Sequence, residues 1–224
     1  MSKAPFEPRA EELPERIPMF PLGGVLLLPR GRLPLNIFES RYLAMIRDAL
    51  ASPLRLVGMV QPRDASHGAG MIEGEPELHH IGCAGRIVSF AETGDGRYLV
   101  ELKGVARFAV ASEARENHPY RVAVADWSHY HGDLDEVPQF VDRDKLVAAL
   151  KPYFHQLGVN PDWHALKALM DDRLVTTVSM LAPFSPPEKQ ALLEAADTKA
   201  RAELLMGLIE MAVKATSGPT SQVN

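Results

Sequence analysis

The sequence predicts an α+β protein with a strand-rich first part and a helical second part. Residues 14–128 contain short runs of β-branched and aromatic residues separated by Gly and Pro, whereas residues 138–214 contain only Gly158 and Gly207 and show helical periodicity. Strands followed by a block of helices are typical of α+β proteins. The chain has 224 residues, 46% of them hydrophobic, which suffices for one large domain or two small ones with a packed core.

About six strands and one helix are expected in the first part, arranged as a small barrel or sandwich with few open edges. The Asp-Gly pair within Thr93–Gly96 predicts a hairpin, because Gly accepts positive φ at little cost. The helix is Ser40–Ala51, with apolar residues at helical spacing and Pro53 behind it. The candidate strands are Ile17–Phe20, Val25–Leu28, Leu33–Phe38, Leu54–Val60, Ile81–Phe90, Arg97–Val110 and Tyr120–Trp127.

The second part is read as a series of helices. The first begins near Val141 and is expected to stall near Pro152, because proline lacks the N–H of a helix interior. Ser185–Glu188 has the form of a capping box, with Ser at the N-cap, Pro at N1 and Glu at N3. The other predicted helices are Trp163–Met170, Leu174–Leu181 and one whose apolar stripe runs from Ala200 to Ala212.

These shifts in composition divide the chain into five segments. We expect a flexible tail over 1–13, a strand-rich part over 14–128, a linker over 129–137, a helical part over 138–214 and a flexible tail over 215–224. No run approaches the ~20 apolar residues of a membrane span, and the N-terminus lacks the apolar core of a signal peptide. We therefore expect no membrane segment and a cytoplasmic location.

Charge and cysteine content exclude several classes of protein. The net charge is -5 and the pI is about 5.9, whereas domains that neutralise many phosphates are usually basic, so nucleic acid is not the expected partner. The single cysteine, Cys83, excludes a disulfide within the chain and a Cys-rich zinc site. Because its neighbours are apolar, we expect an inert core thiol.

The common catalytic motifs are absent. No Lys follows a Gly, which excludes a phosphate-binding loop, and no G-x-S-x-G elbow occurs. The best metal signal is His129-x-His131, which places two imidazoles on one side of an extended segment close to Asp133. We expect no cofactor and no catalytic residue, and keep a metal site at His129 and His131 as an alternative.

Several strings of residues, in order along the chain, resemble one known family. The strings are Ile17–Pro29, Leu33–Tyr42, Ile81–Ile87, Asp95–Val100, Lys103–Phe108, Pro119–Val124 and Lys189–Glu194. They are similar to the N-terminal, substrate-binding domain family of Lon proteases over roughly residues 14–212.

The resemblance implies a PUA-like β-barrel followed by a C-terminal helical bundle. In full-length Lon proteases this region helps to recognise and hold protein substrates, and the ATPase and Ser–Lys peptidase lie further along the chain. Since this sequence ends at Asn224, we expect a stand-alone Lon N-domain protein without the catalytic parts. Within the motifs we expect Glu39 to pair with Arg41, Gly104 to let its strand bend, and Arg107 to bond across that bend.

The leading functional hypothesis is a non-catalytic module that binds unfolded or flexible protein segments, or a partner protein, in a groove between barrel and helices. Met and aromatic side chains adapt to varied apolar partners, which suggests Met59, Phe90 and Tyr130 as peptide contacts. One alternative is an RNA-binding protein that uses the PUA-like fold. The other is a metal-dependent enzyme with its site near His129 and His131. The oligomeric state stays open.

Overall fold

The computed structural model describes residues 7–63, 75–114, 117–135 and 141–216, which form six strands and six α-helices. The strands are β1 (Arg16–Pro21), β2 (Arg32–Ile37), β3 (Leu56–Val60), β4 (Ile81–Glu92), β5 (Tyr98–Ala114) and β6 (Val122–Asp126). The helices are α1 (Ser40–Ala51), α2 (Arg143–Gln156), α3 (Trp163–Ala168), α4 (Asp171–Leu181), α5 (Pro186–Glu194) and α6 (Thr198–Thr216), with short 3₁₀ helices at Ala10–Glu12 and His131–Leu134.

Parts of the predicted tails and linker lie outside the described residues, namely 1–6, 136, 137 and 217–224. Of the described residues in the predicted N-terminal tail, Glu7 forms an ion pair with Lys103.

The strands form one mixed sheet in the order β2-β5-β4-β3-β1-β6. Only the β1–β3 pair is parallel among these neighbours. Strand β5 is long enough to pair twice on the same flank: Tyr98–Lys103 pair with β2, and Ala109–Ala114 pair with β6. The last strand in the order, β6, therefore also pairs with β5. A six-stranded mixed sheet followed by helices confirms the predicted α+β class.

Strand β5 bends at Gly104, as predicted. The register against β4 passes from Gly104 to Ala106 without a partner for Val105, which is a β-bulge. A Cβ at Gly104 would lie 2.0 Å from the carbonyl oxygen of Leu28, so only glycine fits this approach. The extra residue reverses which side chains of β5 point to each face of the sheet. Leu102 and Phe108, which lie on either side of the bulge, therefore belong to two different clusters of buried apolar side chains.

The larger core cluster joins the strand-rich part to the helices. Leu28 and Leu102 belong to it together with Leu146 of α2, Leu192 of α5 and Leu205 of α6. The smaller cluster lies within the strand-rich part and contains Ile17, Met19, Phe108 and Trp127, among others. The helical part therefore packs directly against the strand-rich part through a shared apolar core.

Two predictions about secondary structure are wrong. Val25–Leu28, predicted as a strand, is irregular, although Leu26, Leu27 and Leu28 are at most 2% exposed. A short apolar run indicates that a segment is buried, but it does not indicate whether a neighbouring strand is available to pair with that segment. Helix α2 continues past Pro152 to Gln156, because the buried Leu150 and Tyr153 fix the helix on both sides of the proline.

Local signals were reliable elsewhere. Helix α1 has the predicted bounds, Ser40–Ala51. The capping box of α5 is present, with the backbone N–H and hydroxyl of Ser185 each donating to Glu188 at 2.7 Å. Arg41 donates to the Glu39 carboxylate at 2.8 Å, as the motif predicted. No helix in the described part of the chain has the length and apolar character required to cross a membrane.

Candidate functional site

The three predicted peptide contacts lie in different settings. Met59 of β3 is only 4% exposed and belongs to the larger core cluster, so it offers no surface to a ligand in this conformation. Tyr130 is half-buried, with the Arg107 guanidinium 4.9 Å from the centre of its ring. Phe90 lies on β4 and is 37% exposed. Met59 pairs with Cys83 of β4, and Phe90 is seven residues further along that strand, so Phe90 and Met59 are about 20 Å apart. Phe90 is thus the predicted contact that lies on an exposed strand.

Phe90 belongs to the end of the β4–β5 hairpin. It lies opposite Val100, and its ring is 4.9 Å from that of Tyr98 in an edge-to-face arrangement. Arg47 of α1 donates to the Tyr98 hydroxyl at 3.0 Å and lies 6.0 Å from the centre of its ring. These contacts hold the two aromatic rings at the point where the sheet meets α1.

The opposite face of the same hairpin is also apolar. Leu99 is 48% exposed and follows Tyr98, so its side chain points to the other side of the sheet. Phe38, just after β2, is 53% exposed, and the Arg97 guanidinium lies 5.7 Å from the centre of its ring. Exposed apolar groups on both faces of one hairpin are typical of an interaction surface.

The hairpin also presents an open strand edge. Strand β3 pairs with β4 only from Cys83 to Arg86, and Ile87 donates its N–H to the carbonyl of Arg55 at 3.0 Å. Val88 is skipped by a bulge in the register, and from Ser89 to Glu92 β4 pairs with β5 on one side, while no strand among the described residues pairs with Val88–Glu92 on the other. All five residues of this segment, Val88–Glu92, are exposed. We refer to it as the β4 edge.

Backbone geometry shows which groups the β4 edge offers. The N–H of Thr93 donates to Arg97 at 3.0 Å, so Thr93 and Arg97 form a hydrogen-bonded pair. Hydrogen-bonded and non-hydrogen-bonded pairs alternate along an antiparallel ladder. In the continuous register of this hairpin, Ala91 therefore bonds to β5, whereas Phe90 and Glu92 turn their N–H and C=O groups toward the open side.

Within the described ranges, the sheet has a second free edge at β2, which is the first strand in the order. That strand contains Pro34, which has no N–H and cannot donate a ladder hydrogen bond. Proline on an edge strand is one of the ways in which proteins block unwanted pairing. The β4 edge contains no proline, and it is the better place for an added strand.

The remaining candidates for chemistry are Cys83, His129 and His131. Burial strongly raises the pKa of the Cys83 thiol, which is 0% exposed and stays protonated, as expected of a core cysteine. His129 and His131 are exposed at the end of the strand-rich part. Among the described ranges, no three His, Cys, Asp or Glu side chains come together as a group that could hold a metal ion, so the metal-enzyme alternative has no ligand set there.

The sequence indicated the hairpin and an apolar Phe90, but it did not indicate the open edge. Periodicity predicts that a segment is a strand; it does not predict that pairing with a neighbouring strand stops at the sixth residue of that segment, Arg86. The available signal is the difference in predicted length, seven residues for Leu54–Val60 against ten for Ile81–Phe90, which the structure widens to five against twelve.

Comparison with known proteins gives a consistent result over most of the chain. Residues 16–211 match the family model described as the ATP-dependent protease La (LON) substrate-binding domain. The chain is 27% identical to Lon protease 2 of Sorangium cellulosum over 222 residues, and 26% identical to Lon protease 2 of Myxococcus xanthus over 202 residues. These alignments cover 93% and 89% of this chain but only 26% and 24% of the relatives. The chain thus spans about a quarter of their length.

Solved structures show the same fold. A Lon N-terminal domain protein from Xanthomonas campestris aligns with a TM-score of 0.58 at 23% identity, over 86% of this chain and 97% of that one. The N-terminal domain of Lon protease from Mycobacterium avium complex aligns with a TM-score of 0.57 at 16% identity, over 87% and 98%. Since the family model covers nearly the whole folded part of the chain, this protein belongs to the Lon substrate-binding domain family.

Proposed function

We propose that this protein recognises protein substrates by binding unfolded, extended segments as an added strand along the β4 edge. The observation that carries the proposal is the open edge of Phe90 and Glu92, whose outward N–H and C=O groups lie between exposed apolar side chains. Strand addition reads the backbone of a peptide and leaves side chains to pockets on either face. It therefore suits a domain that must accept many different sequences.

The energy of such binding comes from two sources. Each main-chain hydrogen bond contributes about 0.5–1.5 kcal/mol, and it does so for any peptide sequence except at proline. Apolar side chains of the peptide would pack on Phe90 and Tyr98 on one face and on Leu99 on the other. Because an unfolded segment loses conformational entropy on binding, we expect a modest affinity, in the micromolar range or weaker.

Membership of the Lon substrate-binding domain family supports this role. We propose that the module is itself non-catalytic, that its partners are flexible protein segments or partner proteins, and that it works in the cytoplasm. We also interpret the sheet whose order returns from β6 to β5 as the predicted PUA-like barrel, and α2–α6 as its helical bundle. The helices pack directly on the strands, so we place the site on the hairpin and not in the predicted groove between the two parts.

The test is binding of a permanently unfolded, fluorescently labelled protein to the purified chain, followed by fluorescence anisotropy. Phe90→Ala should weaken binding several-fold, because one face of the added strand loses its aromatic contact. Met211→Ala is the matched control, since Met211 is an exposed apolar side chain (63%) on the distant helix α6. Equal affinities for wild type and both variants would contradict the assignment to this hairpin.

A further inference from the structure

Three cationic side chains lie side by side across three neighbouring strands. Arg32 of β2 lies opposite Lys103 of β5, and Lys103 lies opposite Arg86 of β4. Residues that are directly opposite in a sheet point to the same face, so the three form one row. Like charges at such positions repel and destabilise the sheet. Two carboxylates offset part of this repulsion, since Glu101 pairs with Arg32 and Glu7 pairs with Lys103.

The row lines a concave site. A cavity of about 280 Å³ has Arg32, Lys103 and Arg86 in its wall, together with Arg30. Two carboxylates, Glu7 and Asp133, also line it, so four cationic side chains and two carboxylates form its polar wall. This volume is just below the range for small-molecule sites, about 300–1,000 Å³, and suits a very small ligand.

The carboxylates near the row have ion-pair partners of their own. Asp133 binds the guanidinium of Arg107 at two points, 2.8 Å each. Arg32 pairs with Glu101 at the rim, where its side chain is 65% exposed. Glu7 forms an ion pair with Lys103, so the cavity already accepts one carboxylate. That contact shows where an anion binds and which group a ligand must displace.

Arg30 is held in place by the backbone. Its φ of 66° is in the left-handed region, which is uncommon for a residue with a side chain. Its N–H donates to the carbonyl of Gly104 at 2.8 Å, and its own carbonyl accepts from Arg173 at 2.7 Å. Its guanidinium donates to backbone carbonyls of Asp133 and Asp135, which position the charge without neutralising it. Strained residues of this kind cluster at ligand sites.

We propose that this cavity binds a small phosphate-type anion with two or more negative charges through Arg86, Lys103 and Arg30, and that the Glu7 carboxylate is a built-in competitor for Lys103. Oxyanions with several acceptor atoms match a set of guanidinium and ammonium donors. Burial and the neighbouring Arg55 cation lower the pKa of Arg86, an effect that a bound anion of this kind would reverse. The proposal does not depend on the peptide-binding function of the β4 edge.

The test is isothermal titration of the full chain with inorganic pyrophosphate at low salt. We expect saturable one-to-one binding that Arg86→Met and Lys103→Met each weaken by about tenfold or more, the loss expected for one charge-assisted contact. Glu7→Gln should tighten binding, because the competing carboxylate is gone. The matched control is Arg97→Gln, an arginine on the distant hairpin end that pairs with Asp95. No heat of binding, or equal affinities in all variants, would overturn the proposal.

Two further measurements keep the test decisive. If a variant fails to fold, the arginine Nε–Hε signals of the wild-type protein are followed instead by ¹⁵N NMR spectroscopy. Addition of pyrophosphate should shift a few of these signals. If pyrophosphate shifts none of them, the proposal is overturned. O-phosphoserine and a phosphoserine-containing peptide distinguish a free phosphate compound from a phosphorylated protein segment, and saturable binding of either supports the site. A short oligouridylate that binds more tightly than pyrophosphate, and whose affinity Arg86→Met does not change, would favour RNA binding and overturn it.

Discussion

The guanidinium of Arg107 and the carboxylate of Asp133 form a two-point ion pair, with Nε–Oδ2 and Nη2–Oδ1 distances of 2.8 Å. Their side chains are only 5% and 13% exposed. The same guanidinium donates to the carbonyls of Leu193, Ala195 and Ala196, at 3.2, 2.6 and 3.2 Å. These carbonyls end α5, where unpaired oxygens attract cations. One side chain of β5 thus holds the 3₁₀ helix and the helical part together.

This arrangement predicts a large loss of stability when the pair is broken. Arg107→Met leaves the half-buried Asp133 carboxylate with only the backbone N–H of residue 107 as its donor there, and three carbonyls lose the guanidinium, so the free energy of unfolding should fall by about 3–5 kcal/mol in urea denaturation. The control is Arg97→Gln, whose ion pair with Asp95 is 48% and 60% exposed and should matter by less than about 1 kcal/mol. Similar losses in the two variants would show that Arg107 does not join the parts.

The bend in β5 predicts that Gly104 tolerates no side chain. Gly104→Ala would place a Cβ 2.0 Å from the Leu28 carbonyl oxygen, a backbone atom that cannot rotate away. We expect a loss of about 3 kcal/mol, measured by thermal or urea unfolding. Gly94→Ala is the matched control, because nothing lies within 4 Å of a Cβ there and its stability should be unchanged or slightly higher. A mild Gly104→Ala variant would contradict the close approach of the two segments.

The thiol of Cys83 should be unreactive in the folded protein. Burial raises its pKa, so the nucleophilic thiolate is absent at about pH 8, and the sulfur is not accessible to reagent. Mass spectrometry after incubation with iodoacetamide should show no modification of the native chain and complete modification in guanidinium chloride. Rapid labelling of the native chain would show that β4 opens readily or that the strand is not packed as described.

Local patterns in the sequence predicted the elements whose signals are themselves local. The apolar spacing of Ser40–Ala51, the capping box at Ser185 and the Asp-Gly hairpin within Thr93–Gly96 correspond to observed structure. Where tertiary contacts determine the secondary structure of a segment, local sequence patterns predict it poorly. The apolar residues of Val25–Leu28 predict a strand, but the segment is only buried and irregular. Helix α2 continues past Pro152, a residue type that usually ends a helix, because buried side chains pack on both sides of the proline.

The candidate sites were predictable only in part. The sequence predicts Phe90 as a contact because it is aromatic, and the structure exposes it, but the same reasoning predicts Met59, which the core covers. The β4 edge depends on where β3 ends, and the Arg32–Lys103–Arg86 row depends on register across three strands. Both are relationships between segments distant in sequence, and no spacing within one segment encodes them.

The central claim, that extended segments add to the β4 edge, is tested most directly by removing one outward N–H. Glu92→Pro deletes that donor while leaving the ladder to β5 intact, and Glu92→Ala removes the charge but keeps the N–H. Fluorescence anisotropy with an unfolded substrate should show weakened binding for Glu92→Pro and nearly unchanged binding for Glu92→Ala, with a backbone N-methylated peptide binding the wild type poorly. Unchanged binding by Glu92→Pro, and equal affinities for methylated and unmethylated peptides, would contradict the account.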